Sequence, residues 1–106
     1  MRSADEILSD ITRTIVARFN PERIVLFGSR ARGDHDRESD FDIFIEMQST
    51  QRPVDRDVEV SLSLSPRDYS LDVLVYTPDE VEARRGIPGS LVDLVEAEGQ
   101  VLYERH

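Results

Sequence analysis

The sequence predicts an α/β (α+β) fold in which helices pack on a short mixed sheet. Three short runs, at 23–27, 41–46 and 71–76, are rich in β-branched and aromatic residues, as is typical of buried strands. Around them lie segments whose apolar residues recur every three or four positions, which is typical of amphipathic helices. A chain of 106 residues has room for one hydrophobic core, so we expect residues 1–106 to form a single domain.

The first helix is predicted over residues 3–18. Ser3 followed by Glu6 fits a capping box, which would satisfy the free backbone N–H groups at its start. Asn20-Pro21 should end it, because proline disfavours helical geometry in the residue before it. The apolar positions that define its buried face are Ile7, Leu8, Ile11, Ile15, Val16 and Phe19.

The rest of the chain alternates between strands and short helices. A polar loop at 28–39 separates the first two strands, and residues 29–32 are expected to begin a short helix. The third strand ends at Thr77-Pro78. Further helices are predicted at 79–85 and at 88–98, the second beginning with a proline and closing at a glycine, and an edge strand at 100–103.

The stretch from 53 to 64 has two periodicities. Val54, Val58 and Leu62 recur every four residues, as on a helix face, whereas the apolar residues from Val58 to Leu64 alternate with polar ones, as on a strand. We favour a helix because it would connect two neighbouring strands, and the strand remains the alternative.

The charge balance is acidic, with 13 basic against 22 acidic residues and a net charge of −9. Such a surface repels nucleic-acid backbones and anionic membranes, so we expect no direct nucleic-acid or membrane partner. All the basic residues are arginines, which excludes mechanisms that require a lysine, such as a P-loop or a Schiff base.

Cysteine is absent, which excludes disulfides, thiol nucleophiles and cysteine metal sites. No apolar run approaches the roughly 20 residues of a membrane helix, and the amino terminus lacks the apolar core of a signal peptide. The cytoplasm is therefore the expected location.

Three aspartates form the first candidate site. Asp40 and Asp42 are two residues apart at the start of a predicted strand, so their side chains should leave the same face of the sheet. Asp72 is the second residue of another apolar run, and it can join them if the two strands are neighbours. Three carboxylates could hold two Mg²⁺ ions, as in two-metal phosphoryl-transfer sites. The alternatives are a solvated strand edge for the first two and an arginine pair for Asp72.

A glycine-serine pair forms the second candidate site. Gly28 follows a strand directly, so the backbone can turn sharply and approach a ligand without interference from a Cβ. Its amide, those after it and the Ser29 hydroxyl could cradle triphosphate oxygens. Arg30 and Arg32 offer forked donors suited to phosphate, although a surface or structural ion pair is an equally good interpretation of each.

These motifs together carry a resemblance. Gly28-Ser29, then ten residues, then Asp40-Phe41-Asp42, with Asp72 on a later strand, resembles the polymerase-beta-type nucleotidyltransferase superfamily. The fuller sequences, Gly-Ser-Arg-Ala-Arg-Gly and Ser-Asp-Phe-Asp-Ile, are similar to those of the minimal nucleotidyltransferases (MNT proteins), which have about this length. The resemblance covers nearly the whole chain and implies a polymerase-beta-like nucleotidyltransferase fold.

The resemblance also implies an activity. Members of this family transfer AMP from ATP, with Mg²⁺, to a tyrosine of a HEPN-domain ribonuclease toxin encoded nearby, and so act as the antitoxin of a type VII toxin–antitoxin pair. Gly28 and Ser29 match the phosphate-binding positions. Asp40 and Asp42 match the carboxylates that bind nucleotide and metals, and Asp72 matches the third, which helps to deprotonate the acceptor hydroxyl. A hetero-oligomer with the toxin is expected.

Two other functions stay open at this point. The chain could be a non-catalytic antitoxin that neutralises its partner by binding, with a regulatory or vestigial nucleotide site. It could also modify a small molecule, although enzymes of that kind generally need an additional substrate-binding domain.

Overall fold

The structure is a computed structural model that describes residues 2–106. In chain order its elements are α1 (Ala4–Phe19), β1 (Arg23–Phe27), α2 (Ser29–Arg32), β2 (Phe41–Glu46), α3 (Pro53–Ser63), β3 (Leu71–Tyr76), α4 (Pro78–Arg84), α5 (Leu91–Glu98) and β4 (Gln100–Glu104). Within the described residues, no helix has the length and apolar character that a membrane span requires.

The four strands form one mixed sheet in the order β3-β2-β1-β4. β1 pairs antiparallel with β2 on one side and with β4 on the other, while β2 and β3 run parallel. A parallel pair needs a crossover connection, and α3 lies in that connection. The predicted mixed sheet, with β4 at its edge, is confirmed.

The first helix, predicted over 3–18, lies at Ala4–Phe19 and has the predicted capping box and end. Ser3 caps it by accepting from the Glu6 backbone N–H, and the Glu6 side chain accepts from the Ser3 backbone N–H in return. Asn20 ends the helix in the left-handed conformation, with φ of 48°. Asparagine tolerates that conformation better than most residues, and Pro21 prevents the helix from continuing.

The ambiguous stretch is a helix. The inner side of α3 buries Arg56, Val60 and, just beyond its end, Leu64. Its opposite side carries Val54, Val58 and Leu62, which are exposed and which we call the outer stripe. Two apolar rows offset by two residues produce the strand-like alternation in the sequence, because positions two apart on a helix lie about 200° apart around its axis.

Each face of the sheet has its own core. α1 and α3 cover the first face, where Ile11, Ile15, Val60 and Leu64 pack on alternate residues of the strands. α4 and α5 cover the second face, where Val81, Val92 and Val95 pack on Val25, Phe27 and Phe44. Asp42 belongs to this second face, because it lies opposite Phe27 in the sheet register.

Two later helices differ from their predicted bounds: the helix expected over 79–85 is α4 (Pro78–Arg84), one residue earlier, and the larger difference is at the start of α5. The helix expected over 88–98 begins at Leu91, and residues 88–90 form a turn instead. Ser90 is the capping residue, because its side chain accepts from the Asp93 backbone N–H. The proline at 88 belongs to the preceding turn, in which Gly86 and Gly89 both have positive φ.

Candidate functional site

Two of the three candidate carboxylates lie side by side. Asp42 on β2 and Asp72 on β3 are direct partners in the parallel register, so they lie on neighbouring strands about 4.8 Å apart and leave the same face of the sheet. From the sequence, Asp42 and Asp72 are expected to lie together only if their two strands are neighbours. The sheet order satisfies that condition.

Asp40 lies just outside the strand. β2 begins at Phe41, and Asp40 is the exposed residue before it, at the end of the loop. Its charge nevertheless reaches Asp42, since it raises the pKa of the Asp42 carboxyl. The structure therefore groups Asp40, Asp42 and Asp72 at one end of the sheet.

The pKa of Asp42 reflects this grouping. Partial burial raises it above the ordinary aspartate value, and the negative charges of Asp72 and Asp40 raise it further, while the Arg32 guanidinium opposes them. Carboxylates crowded in this way gain from a bound cation, because a positive charge between them removes both the repulsion and the cost of burying charge.

Gly28 lies against the Asp42 carboxylate. A Cβ added at Gly28 would come within 2.2 Å of Asp42 Oδ2, a distance that no real contact tolerates. Its backbone also has φ of 76° and ψ of −158°, a region that essentially only glycine occupies. Two features therefore require a glycine at position 28: its backbone conformation and the closeness of the Asp42 carboxylate. Ser29 follows directly as the first residue of α2.

The two arginines of the motif have different surroundings. Arg32 pairs with Asp34 at 3.2 Å and with Glu98, at the end of α5, at 3.0 Å, and its charge opposes the rise in the pKa of Asp42. Arg30 turns to the loop instead. It donates to the backbone carbonyls of Ser39 and Arg37 and stacks over the Phe41 ring at 4.0 Å. Arg30 thus holds the segment that leads into Asp40, and a phosphate contact by either arginine stays a prediction.

The donor chemistry of the site fits Mg²⁺. Three carboxylates and no nitrogen or sulfur ligand make up the acidic group, and Mg²⁺ prefers oxygen ligands. Within residues 2–106, however, no three acidic or histidine side chains converge closely enough to form a finished metal-binding cluster. Asp42 and Asp72 are the adjacent pair, and Asp40 would have to turn toward them to join a shared ion.

Sequence reasoning missed a fourth carboxylate near the site. Asp57 on α3 accepts a hydrogen bond from the Val75 backbone N–H at 2.8 Å. Burial raises the pKa of Asp57 and the charge of Asp72 raises it further, whereas the Val75 hydrogen bond and Arg56 lower it. No motif contains Asp57. Only the packing of α3 beside the free edge of β3 brings it near Asp72.

A wide groove lies apart from these carboxylates. Its volume is about 1320 Å³, and Arg30 is the one candidate site residue among those that line it. Phe41 and Tyr69 also line it, and both pack against the core of the first face rather than the second. None of Asp40, Asp42 and Asp72 lines this groove, so the three carboxylates lie outside it.

The sequence of the chain is similar to those of known proteins. A family model for the nucleotidyltransferase domain matches residues 8–104. A Methanocaldococcus jannaschii protein, MJ0141, named as a candidate protein adenylyltransferase, is 32% identical over 98 residues, which are 89% of this chain and 93% of that protein.

Two solved structures have a similar fold. A toxin–antitoxin crystallised with AMP-PNP has a TM-score of 0.66 at 22% identity, over 93% of this chain and 74% of that one. A mutant of the toxin–antitoxin MntA-HpeT has a TM-score of 0.58 at 21% identity, over 99% of this chain and 76% of that one. The predicted nucleotidyltransferase fold is confirmed.

Proposed function

Because this chain belongs to the nucleotidyltransferase domain family, we propose that it transfers AMP from ATP to a tyrosine hydroxyl of a partner HEPN ribonuclease toxin. The chain would thereby act in the cytoplasm as the antitoxin of a type VII toxin–antitoxin pair. The observation that carries the proposal is the register pairing of Asp42 with Asp72, beside a glycine whose backbone lies against the Asp42 carboxylate.

Each residue of the site has a role in this reaction. The backbone at Gly28 and the Ser29 hydroxyl bind the triphosphate, and Asp40, Asp42 and Asp72 would hold Mg²⁺, as two ions in a two-metal site. Bound Mg²⁺ supplies positive charge that offsets the charge developing on the phosphate oxygens. Asp72 accepts the proton of the tyrosine hydroxyl. As the tyrosine oxygen bonds to the α-phosphorus of ATP, the bond between that phosphorus and the pyrophosphate leaving group breaks.

The similar proteins support the choice of acceptor. The M. jannaschii protein is named for adenylyl transfer to protein, and two structures with this fold are toxin–antitoxin proteins, one of them with an ATP analogue. A net charge of −9 also suits docking on a basic, RNA-cleaving partner.

Intact-mass spectrometry tests the proposal directly. The product of the adjacent gene is incubated with this protein, ATP and Mg²⁺, and its mass should rise by whole AMP units. Asp42→Asn should abolish the rise, because the substitution removes the charge at the centre of the site. The matched control is Asp79→Asn, which makes the same change at an exposed position in the first turn of α4.

Other outcomes would redirect the assignment. If Asp42→Asn still transfers AMP, the metal-binding role of Asp42 is wrong. If the partner keeps its mass but forms a stable complex, and Asp40→Ala still suppresses toxicity in cells, then the chain neutralises its partner by binding alone.

A further inference from the structure

The Arg30 side chain contacts the chain on both sides of Asp40. Its Nε donates to the Ser39 carbonyl at 3.0 Å, and its Nη2 donates to the Arg37 carbonyl at 3.3 Å. The carbon at the centre of the guanidinium lies 4.0 Å from the centroid of the Phe41 ring, in a cation–π contact. The residue before Asp40 and the residue after it are thus both held by one guanidinium.

These contacts fix the backbone at Asp40. The Ser39 carbonyl that accepts from Arg30 belongs to the peptide bond between Ser39 and Asp40. On the other side, the Phe41 backbone N–H donates to the Ser70 carbonyl at 2.9 Å, and Phe41 is only 2% exposed. Asp40 itself is exposed, so its side chain can rotate on a backbone that is already in place. Rotation of that side chain is what would bring it to the other two carboxylates.

The guanidinium of Arg30 lies on the side of the sheet away from the carboxylate pair. The Phe41 ring on which it stacks packs in the core of the first face. Successive residues of a strand point to opposite faces, so Asp42 leaves the second face, together with Asp72. Arg30 also lines the wide groove, which none of the three carboxylates lines. Its donors are therefore directed at the loop and not at the carboxylate pair.

The loop before Asp40 has a turn of its own, which Arg30 attaches to α2. The Asp36 carboxylate accepts from the Glu38 backbone N–H at 2.8 Å and from the Ser39 hydroxyl at 3.3 Å. The same hydroxyl accepts from the Asp36 backbone N–H at 3.0 Å. Arginine suits the attachment, because its planar fork can bond two carbonyls while its face stacks on a ring, whereas lysine has a single compact ammonium.

We propose that Arg30 is a positioning residue: it fixes the loop that carries Asp40 to α2, and so sets the distance between the Gly28-Ser29 turn and the first metal-binding carboxylate. This role differs from the phosphate contact that the sequence predicts for the same side chain. The inference rests on the proposed function for the presence of a metal ion at Asp40. Metal-dependent binding is therefore measured separately from AMP transfer.

The test variant is Arg30→Gln, and the probe is AMP-PNP, whose binding is followed by calorimetry over a range of Mg²⁺ concentrations. The Mg²⁺ concentration for half-maximal binding should rise by about tenfold or more, as is typical when a group that orients a metal ligand is removed. Arg30→Lys keeps the charge but not the fork, so it should recover little of this loss. Circular dichroism verifies that both variants fold, and Arg30→Lys serves alone if Arg30→Gln does not.

Arg84→Gln is the matched control, because it makes the same change in a similar setting. Arg84 also donates to a backbone carbonyl, that of Glu80, and lies over an aromatic ring, that of Tyr76. Tyr76 is at the opposite end of β3 from Asp72. The control should therefore need no more Mg²⁺ than the wild type to bind AMP-PNP.

Saturating Mg²⁺ distinguishes positioning from a phosphate contact. Weaker metal binding is offset by a higher metal concentration, so Arg30→Gln should then bind AMP-PNP as tightly as the wild type does. An affinity that stays low at saturating Mg²⁺ would indicate a lost phosphate contact and overturn the positioning role. An unchanged Mg²⁺ requirement in Arg30→Gln, or wild-type binding that is independent of Mg²⁺, would overturn it as well.

The two proposals can fail separately. If the wild type transfers no AMP, yet Arg30→Gln alone needs more Mg²⁺ to bind AMP-PNP, the catalytic proposal fails and the positioning role stands. If the wild type transfers AMP and Arg30→Gln has an unchanged Mg²⁺ requirement, the positioning role fails and the catalytic proposal stands.

Discussion

The contact between Gly28 and Asp42 joins the two halves of the site at a single pair of residues. Asp42 can occupy its position only while residue 28 has no side chain, since a Cβ there would lie 2.2 Å from its Oδ2. Gly28 thus does more than allow the backbone to turn after β1. It also sets where the central carboxylate lies.

Gly28→Ala should reduce AMP transfer by about 100-fold, because misplacing a reacting or metal-binding group by about 1 Å has an effect of that size. The unfavourable backbone conformation should also lower the free energy of unfolding by about 1–3 kcal/mol. The measurements are transfer kinetics and chemical denaturation on the same preparation.

Gly33→Ala separates these two effects. Gly33 also has a positive φ, of 89°, but a Cβ there meets nothing within 4 Å. This control should lose stability through its backbone conformation and keep most of its transfer activity. Equal losses of activity in the two variants would mean that the contact with Asp42 is unimportant.

At this scale the sequence predicted where several candidate residues lie but not all their neighbours. Spacing alone placed Asp40 and Asp42 at the start of a strand and Gly28 at a turn. The contacts of the Arg30 guanidinium could not be predicted. Its partners are backbone carbonyls of the following loop and the Phe41 ring, and residue spacing carries no information about such contacts. Asp57 was missed for a similar reason, since its partner is a backbone N–H.

At the scale of elements, side chains of α3 cover the free edge of β3. Arg56 donates to the Val75 carbonyl and reaches Glu80 of α4 at 2.7 Å, while Asp57 accepts from the Val75 N–H. An edge strand with unpaired backbone groups invites pairing with other chains. This arrangement satisfies the edge at Val75 and ties α3, β3 and α4 together.

The Arg56–Glu80 pair should make stability depend on pH. Hydrogen bonding from Arg56 holds the pKa of Glu80 below its ordinary value of 4.5. The stabilisation is therefore complete above 4.5 and is lost as the pH falls through the lowered pKa. Glu80→Gln should be less stable than the wild type by about 2 kcal/mol at neutral pH. Urea denaturation should show the difference between the two proteins shrinking as the pH falls below 4.5, and a constant difference would contradict this role.

Asp57 should act through its hydrogen bond rather than its charge. Asp57→Ala leaves the Val75 N–H without its partner, so we expect a loss of about 1–2 kcal/mol in the free energy of unfolding. Asp57→Asn keeps an acceptor oxygen and should lose much less. Chemical denaturation of both variants measures the difference. If both are destabilised equally, the charge matters more than the hydrogen bond.

Element types were easier to predict than element boundaries. The strands at 23–27, 41–46 and 71–76 are found where the β-branched runs are. The start of α5 was misplaced because proline at 88 is a good first helical residue. The observed cap is Ser90, whose side chain accepts from the Asp93 N–H. That cap depends on the preceding turn, in which two glycines have positive φ.

For the whole molecule, the net charge of −9 should govern how fast the partner associates. Complementary charge raises association rates, and salt screens it. Stopped-flow association with the product of the adjacent gene should slow by about tenfold or more between low and high salt, while dissociation changes little. An association rate independent of salt would contradict an electrostatically steered, basic partner.

The two apolar rows of α3 have a consequence for the chain before it folds. In an extended conformation the segment from Val58 to Leu64 would present Val58, Val60, Leu62 and Leu64 together on one side, with polar residues on the other. Such segments pair readily into intermolecular sheets. The residues that give α3 its two apolar rows thus make this segment of the unfolded chain prone to intermolecular pairing. Folding protects against it, because the helix places the two rows on opposite sides.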